Sequence, residues 1–257
     1  MTTFVSADWV AERIGTPEFL VIDTRYSMRH LMGHLKSAVN VPPPKTRDSQ
    51  GGLLSAEGFS QLFGAAGLGD GITPVLYDGY DGRNSAMVAW VLEYLGRDDV
   101  HIMDIVYDEW KSQGREVLYR PVPRNPRQFS PRINPEVRAK LDDVSQAMGV
   151  KLVDTRSPEE YNGQGETDEK PGHIPGAVNI VLQELVGEDG QLVCSDEKAG
   201  RIFEAANISP SDPVITYCKV GARAAIEYLA FKRLGYDVRL FDGSYAEWEK
   251  SGQPVEI

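Results

Sequence analysis

The strongest constraint on this chain is that its two halves carry the same sequence pattern in the same order. Four segments of the first half recur in the second, at offsets between 131 and 139 residues (154 − 23 and 173 − 34). A nearly constant offset across 257 residues is typical of two copies of one folding unit. The matched segments are Val21–Arg25 with Leu152–Arg156, Gly33–Asn40 with Gly172–Asn179, Thr73–Val75 with Asp212–Val214, and Asp108–Trp110 with Ala246–Trp248.

Within each copy, short runs rich in β-branched residues alternate with amphipathic stretches. This alternation predicts an α/β fold in which each half has a mainly parallel sheet flanked by helices on both faces. Ligands of such sheets bind beyond the carboxyl ends of the strands. In the second half we expect strands at 151–154, 177–179, 214–217 and 238–241, and helices from Asn134 toward Met148, from Ser195 toward Ala206 and from Ala222 to Leu234.

A proline-rich segment separates the two copies. Recurrent prolines over residues 120–133 favour extended backbone over helix or paired strand. We therefore predict a first domain over 1–119, a linker over 120–133 and a second domain over 134–257. Each domain is long enough to bury a core without disulfides or a structural metal.

Composition excludes several classes of function. The formal net charge of −11 argues against a non-specific nucleic-acid or anionic-membrane binder. Cys194 and Cys218 are the only cysteines, too few for a disulfide framework and without the paired spacing of a zinc site. We find no stretch of about 18 apolar residues and no signal-like N-terminus. We expect a cytoplasmic protein that binds neither nucleic acid, membrane nor metal.

The chemistry is expected in the segment Cys218–Arg223, which runs from an apolar strand directly into a helix. Unpaired N–H groups at a helix start, together with the charges of Lys219 and Arg223, favour the ionised, nucleophilic form of the Cys218 thiol. Gly221 lets the loop curl so that its amides surround the sulfur. We therefore predict Cys218 as the catalytic residue, and the substrate-binding residues as Lys219, Val220, Gly221, Ala222 and Arg223.

The motifs together resemble the tandem two-domain rhodaneses, a family of sulfurtransferases. The segments that carry the resemblance are Asp154–Arg156, Gly172–Asn179, Cys218–Arg223 and Asp242–Trp248. The resemblance covers nearly the whole chain and implies two rhodanese-like domains. It also implies that Cys218 takes a sulfane sulfur as a persulfide and passes it to cyanide, another thiophilic acceptor or a protein thiol. This covalent chemistry needs no cofactor.

The first copy of the loop, Asp78–Arg83, has Asp78 where the second has Cys218. A carboxylate cannot carry transferable sulfur, and Asp78 with Asp81 would repel an anionic donor. The first half is therefore predicted to be catalytically silent, as the resemblance implies for the first domain of tandem members. We expect Arg83 to pair with Asp78 or Asp81.

A small anionic donor, thiosulfate, is favoured by the basic residues of the loop. Arg223 can present a planar fork to two oxygens while Lys219 adds a point charge. Members of the family that use 3-mercaptopyruvate resemble this chain less, because they have arginines where the acidic interval 157–170 lies here. Glu160 departs from the Arg that the resemblance leads us to expect in thiosulfate-using members. 3-Mercaptopyruvate sulfurtransfer remains an alternative.

Two rival functions are weighed against this one. Cysteine phosphatases also place a Cys-to-Arg loop at a helix start, but their loops are one residue longer than the four residues, Lys219–Ala222, found here. A non-turnover sulfur-relay or binding module, in which Cys218 passes its sulfur only to a dedicated protein thiol, remains open.

Several other residues are expected to be structural. Cys194 is interpreted as buried filler, His34 and His173 as structural because the silent half shares the motif, and the run 166–170 as an exposed loop. Arg156 could still edge the donor pocket. Strand-end ion pairs are expected for Asp23 with Arg25 and Asp154 with Arg156, and core or interdomain packing for Trp9, Trp90, Trp110 and Trp248.

Overall fold

The computed structural model describes residues 2–120, 122–123, 125–166, 168–187 and 191–257. The chain divides into two compact units, Met1–Asn134 with Asp189–Leu192 and Pro135–Glu188 with Val193–Ile257. The domain boundaries proposed from the sequence stay a prediction. None of the helices in the described ranges is long and apolar enough to cross a membrane.

The first unit contains a parallel sheet of five strands. The strands of the unit, of which β3 and β7 lie outside this sheet, are β1 (Thr3–Val5), β2 (Phe19–Asp23), β3 (His34–Leu35), β4 (Val39–Asn40), β5 (Thr73–Tyr77), β6 (His101–Met103) and β7 (Val117–Leu118). Its helices are α1 (Ala7–Arg13), α2 (Ser27–Leu31), α3 (Ala56–Ala66), α4 (Arg83–Tyr94) and α5 (Tyr107–Ser112), with a 3₁₀ helix at Pro43–Thr46. The sheet order is β1-β6-β5-β2-β4, and β3 pairs with β7 in a separate antiparallel ribbon.

The second unit repeats this topology. Its strands are β8 (Arg138–Ala139), β9 (Lys151–Asp154), β10 (Val178–Asn179), β11 (Val214–Tyr217) and β12 (Val238–Phe241). Its helices are α6 (Leu141–Ser145), α7 (Pro158–Tyr161), α8 (Leu182–Leu185), α9 (Asp196–Ala205), α10 (Ala222–Arg233) and α11 (Ser244–Lys250). The parallel sheet order is β10-β9-β11-β12-β8. The predicted α/β fold, with two parallel sheets flanked by helices, is confirmed.

The middle strand of each sheet, β5 or β11, is followed directly by the loop segment Asp78–Arg83 or Cys218–Arg223. All four residues of β11 are buried, as a strand covered on both faces requires, and the run Val-Ile-Thr-Tyr has the β-branched composition of such a strand. Tyr217 packs in a core with Phe241, Tyr245 and Trp248. The end of β11, and therefore Cys218, is held in place by this core.

The tryptophans lie where packing was expected. Trp90, Trp110 and Trp248 are buried, and Trp9 packs partly buried against the first core. The predicted core packing is confirmed for Trp90, Trp110 and Trp248.

The predicted helix from Asn134 toward Met148 is wrong. The cap-like Asn134-Pro135 pair yields only a single 3₁₀ turn, Pro135–Val137, and the chain then forms β8, which pairs with β12. Burial of Val137 and Ala139 beside that strand outweighs the local helix signal, and α6 begins only at Leu141.

The segment predicted as a linker packs against the first unit. The Phe129 ring lies 5.5 Å from Phe63, and Ser60 Oγ donates to the Phe129 carbonyl at 2.6 Å. Arg132 N donates to the Leu95 carbonyl at 2.9 Å. Pro121 and Arg124 of this segment lie outside the described residues.

Candidate functional site

Cys218 lies at the carboxyl end of β11, where the chain turns into α10. Only Lys219 and Val220 separate it from Gly221, the N-cap of the helix. Gly221 has a φ of 91°, and a Cβ there would lie 3.1 Å from the Asp242 carbonyl oxygen. Glycine is needed at this turn because other residues rarely adopt that φ and would crowd the neighbouring backbone.

The sulfur sits at the base of this turn. The Cys218 residue is 1% exposed, whereas Val220 at the rim is 61% exposed. Gly221 N–H donates to Cys218 Sγ at 3.1 Å, and the Arg223 guanidinium lies near enough for its charge to interact with the sulfur. The sulfur therefore meets the positive end of a twelve-residue helix and a permanent cation.

Ser244, at the start of α11, holds the backbone of the Cys218–Arg223 loop through a hydrogen bond. Cys218 N donates to Ser244 Oγ at 3.3 Å, and Ser244 Oγ donates to the Phe241 carbonyl at 2.8 Å. Ser244 has a φ of 54°, unusual for a residue other than glycine. This support was not identified from the sequence, where Ser244 was only part of the resemblance.

Lys219 is held by two carboxylates. Its Nζ donates to Asp168 Oδ1 and to Glu249 Oε1, both at 2.7 Å. Burial alone would lower the pKa of Lys219, but these hydrogen bonds outweigh it and raise the pKa above its usual value.

Arg223 is held by a bidentate pair with Glu160. Its Nη1 and Nη2 donate to the two carboxylate oxygens at 2.6 and 2.8 Å. Burial alone would raise the pKa of Glu160, but the hydrogen bonds from Arg223 and Ser157 hold it below its usual range. The guanidinium that was expected to receive a donor is thus bound to an acid of the protein itself. Ala222, the remaining predicted binding residue, is the first residue of α10.

Glu166 and Glu169 are exposed, as expected for the run 166–170, but Asp168 departs from that expectation. Its side chain is fully buried and shared between Lys219 and Arg156, the latter at 2.9 Å. Arg156 also pairs with Asp154 at 2.8 Å and stacks over Tyr245 at 3.8 Å. The buried Arg156 and the partly buried Lys219 attract this acid, and the local sequence does not reveal either contact. Thr167 lies outside the described residues.

We call Glu160, Asp168 and Glu249 the carboxylate clamp, because together they bind both cations of the loop. The contacts of Lys219 with Glu249 and Asp168 span 30 and 51 residues of sequence. Asp168 and Glu249 were missed for that reason. The only signal was the acidic composition of 157–170.

In the first unit, Asp78 occupies the position of Cys218. One oxygen of its carboxylate accepts from Gly79 N at 2.7 Å and Asn84 Nδ2 at 3.1 Å, and the other accepts from Asn84 N at 2.9 Å. Burial raises the pKa of Asp78, although these hydrogen bonds act in the opposite direction. The carboxylate itself fills the start of α4.

The loop of the first unit, from Asp78 to the helix cap Gly82, is one residue longer than the loop from Cys218 to Gly221 in the second unit. The offset between the copies is 140 at the strand end (218 − 78) but 139 at the helix caps (221 − 82). Arg83 therefore does not correspond to Arg223, and Asn84 takes that position. The expected pairing of Arg83 is confirmed with Asp81, two residues away, and not with Asp78.

The remaining structural assignments hold. The ion pair of Asp23 with Arg25 is present at 2.6 Å, like that of Asp154 with Arg156. Cys194 is buried, and burial raises its pKa. The His34 and His173 rings each hydrogen-bond a backbone carbonyl at 2.9 Å, from Leu35 and Tyr161.

Comparison with known proteins agrees with this geometry. The rhodanese-like domain model matches residues 6–113 and 135–251. The chain is 32% identical to the thiosulfate sulfurtransferase of Corynebacterium glutamicum over 268 residues, covering 95% of this chain and 86% of that protein. It is 32% identical to a putative thiosulfate sulfurtransferase of Haloferax volcanii over 280 residues, covering 98% and 95%.

Two solved structures share the fold. SseA from Escherichia coli, described as a 3-mercaptopyruvate sulfotransferase, has a TM-score of 0.85 at 28% identity, covering 95% of this chain and 99% of that one. EanB in a Cys-persulfide state has a TM-score of 0.89 at 21% identity, covering 98% and 70%, and at that identity shows the fold alone. Together the relatives support sulfurtransferase activity. With matches over both of its halves, the chain belongs to the rhodanese-like domain family.

Proposed function

We propose that the chain is a sulfurtransferase that carries sulfane sulfur as a persulfide on Cys218. The observation that carries this proposal is the hydrogen bond from Gly221 N–H to Cys218 Sγ at 3.1 Å, at the start of α10. A helix start stabilises a thiolate, and it would stabilise the terminal sulfur of a persulfide for the same reason. Relatives over nearly the whole chain are named thiosulfate sulfurtransferases.

Thiosulfate is the proposed donor and cyanide or a thiol the proposed acceptor. The Cys218 thiolate attacks the outer sulfur of thiosulfate, and a Cys–S–S⁻ persulfide forms as sulfite leaves with the electron pair of the broken S–S bond. Cyanide then attacks the terminal sulfur, thiocyanate leaves, and the thiolate is regenerated. The two half-reactions balance without an oxidant, a metal or a cofactor.

3-Mercaptopyruvate is the second candidate donor. The likeness to SseA at 28% identity over 95% of this chain favours it. In this case pyruvate would leave once the sulfur had moved to Cys218. Initial rates with each donor, at equal concentration and with the same acceptor, distinguish the two candidates.

An intact-mass measurement tests the persulfide. After incubation with thiosulfate and removal of excess donor, the protein should gain the mass of one sulfur atom, and peptide mapping should place it on Cys218. Cyanide should remove the added mass and release thiocyanate. Cys194→Ser is the matched control and should load normally. A wild-type protein that gains no sulfur from either donor contradicts the proposal.

A further inference from the structure

Arg223 is the cation best placed to meet a donor, yet it is already occupied. Its charge interacts with the Cys218 side chain, and its guanidinium donates to both carboxylate oxygens of Glu160. Both carboxylate oxygens of Glu160 receive a guanidinium N–H. The fork that could bind two oxygens of an anionic donor is therefore used within the protein.

Glu160 is fixed in place by the start of its own helix. Ser157 N donates to Glu160 Oε2 at 3.0 Å, and Glu160 N donates to Ser157 Oγ at 3.3 Å, which forms a capping box. The side chains of Arg223 and Glu160 are 21% and 18% exposed. A donor that uses Arg223 must compete with a pre-oriented and weakly hydrated carboxylate.

Lys219, the other cation of the loop, is not available to bind an anionic donor in place of Arg223. Lys219 is bound by Asp168 and Glu249, whose side chains are 0% and 4% exposed. Glu160 is thus the most accessible member of the carboxylate clamp. It is the member that an arriving anion can displace.

We infer, on the basis of the function proposed above, that Glu160 is the residue that determines donor selectivity. Its carboxylate withholds Arg223 from doubly charged donors, so the site favours sulfane donors that bear a single negative charge, such as organic thiosulfonates, over dianionic thiosulfate. Repulsion from Glu160 grows with each charge on the donor. Thiosulfate then remains a substrate, but one that binds weakly.

A pair of donors that differ by one charge isolates this effect. With methanethiosulfonate, the Cys218 thiolate attacks the outer sulfur, the persulfide forms, and methanesulfinate leaves with the electron pair of the broken S–S bond. The reaction at the cysteine is the same as with thiosulfate. A difference between the donors therefore reports the charge and shape of the leaving group.

The test variant is Glu160→Gln, which keeps an oxygen for Ser157 N but removes the charge. We expect the KM for thiosulfate to fall about fivefold or more, as the loss of a partly exposed ionic competitor predicts, with kcat little changed. The KM for methanethiosulfonate should fall by a smaller factor. Glu159→Gln, the adjacent exposed acid of the same helix, controls for net charge and should leave the donor ratio unchanged.

The outcomes separate this inference from the proposed function. If Glu160→Gln loads sulfur normally but its donor ratio equals that of wild type, or if its KM for thiosulfate rises, the inference is overturned while the persulfide function stands. If wild-type Cys218 gains no sulfur from either donor, the proposed function itself fails. Glu160→Ala serves as a second variant with the same expected ratio, and thermal unfolding confirms that each variant is folded.

Discussion

The two loops at the ends of β5 and β11 occupy the same place in the same sheet topology, but they hold different side chains. In the first unit, Asp78 places a fixed carboxylate at the start of α4, where it accepts from Asn84 N and Gly79 N. In the second, Gly221 N–H points at the Cys218 sulfur. Both loops therefore direct backbone N–H groups at a side-chain acceptor, which is a carboxylate in the first loop and a sulfur in the second.

The arginines differ in a related way. Arg83 pairs with Asp81 inside its own loop, two residues away. Arg223 pairs with Glu160, which comes from α7. The first pair is part of the backbone turn, whereas the second joins two separate elements. The arginine of the first loop is thus paired within its own turn, and that of the second loop with a residue of another helix.

The largest expected effect is the loss of Cys218. Cys218→Ser should abolish sulfur transfer, because a serine hydroxyl at neutral pH is neither ionised nor able to hold a transferable sulfur. Thiocyanate formation from thiosulfate and cyanide measures it. The circular dichroism spectrum should match that of wild type, and appreciable turnover by the variant would remove Cys218 from the mechanism.

The next effect concerns whether the first loop can be converted. Asp78→Cys, made in the Cys218→Ser background, should load sulfur at least about tenfold more slowly than wild-type Cys218, since the neutral Asn84 stands where the second unit has the Arg223 cation. Mass mapping after thiosulfate treatment reads out the site. Equal sulfur loading at residue 78 would show that the position between strand and helix determines loading, and that the other side chains of the loop matter less.

The third prediction compares the two arginines. Arg223→Ala should lower kcat/KM for thiosulfate by roughly 10–100-fold, because it removes the cation near the Cys218 sulfur and leaves Glu160 there without this partner. Arg83→Ala removes the same charge from the first loop, which is predicted to be silent, and should leave kcat/KM unchanged. Equal effects of the two substitutions on kcat/KM would remove Arg223 from the mechanism.

Local patterns in the sequence predicted much of this arrangement. The strands at 151–154, 214–217 and 238–241 appear at the predicted residues, because buried β-branched runs leave little choice of structure. The loop was also recognisable, since a strand, a glycine turn and a helix follow each other within a few residues. Its proposed role nevertheless rests on the family pattern as well as on these residues.

What the sequence could not predict depends on distant partners. Asp168 and Glu249 reach Lys219 from separate parts of the chain, and no local rule indicates that one acid of an exposed run turns its side chain inward. The one-residue difference between the loops was hidden because Arg83 and Arg223 lie at equal distances from Asp78 and Cys218. Only the positions of the helix caps, Gly82 and Gly221, reveal it.

The smallest expected effect concerns a buried acid of α10 that has an apolar counterpart in α4. Glu227 is fully buried in α10, and at the offset of the helices its counterpart is Val88, also fully buried (227 − 139). Thr155 Oγ1 donates to Glu227 Oε2 at 2.7 Å, while Oε1 has no hydrogen-bond partner among the described residues. Burial raises the pKa of Glu227 well above its usual value.

A raised pKa in the folded state has a defined consequence for stability. The contribution of Glu227 to the free energy of unfolding is fully present below 4.5, the ordinary pKa of a glutamate in the unfolded chain, and is lost as the pH rises toward the folded-state pKa. In that range the unfolded chain ionises, whereas the folded chain must either keep the proton or bury a charge. Glu227→Gln is uncharged throughout and should flatten this dependence, gaining about 1–2 kcal/mol over wild type at alkaline pH. Urea unfolding between acidic and alkaline pH measures it. The exposed Glu197→Gln change should leave the slope as in wild type, and a Glu227→Gln variant that kept the wild-type slope would place the titrating group elsewhere.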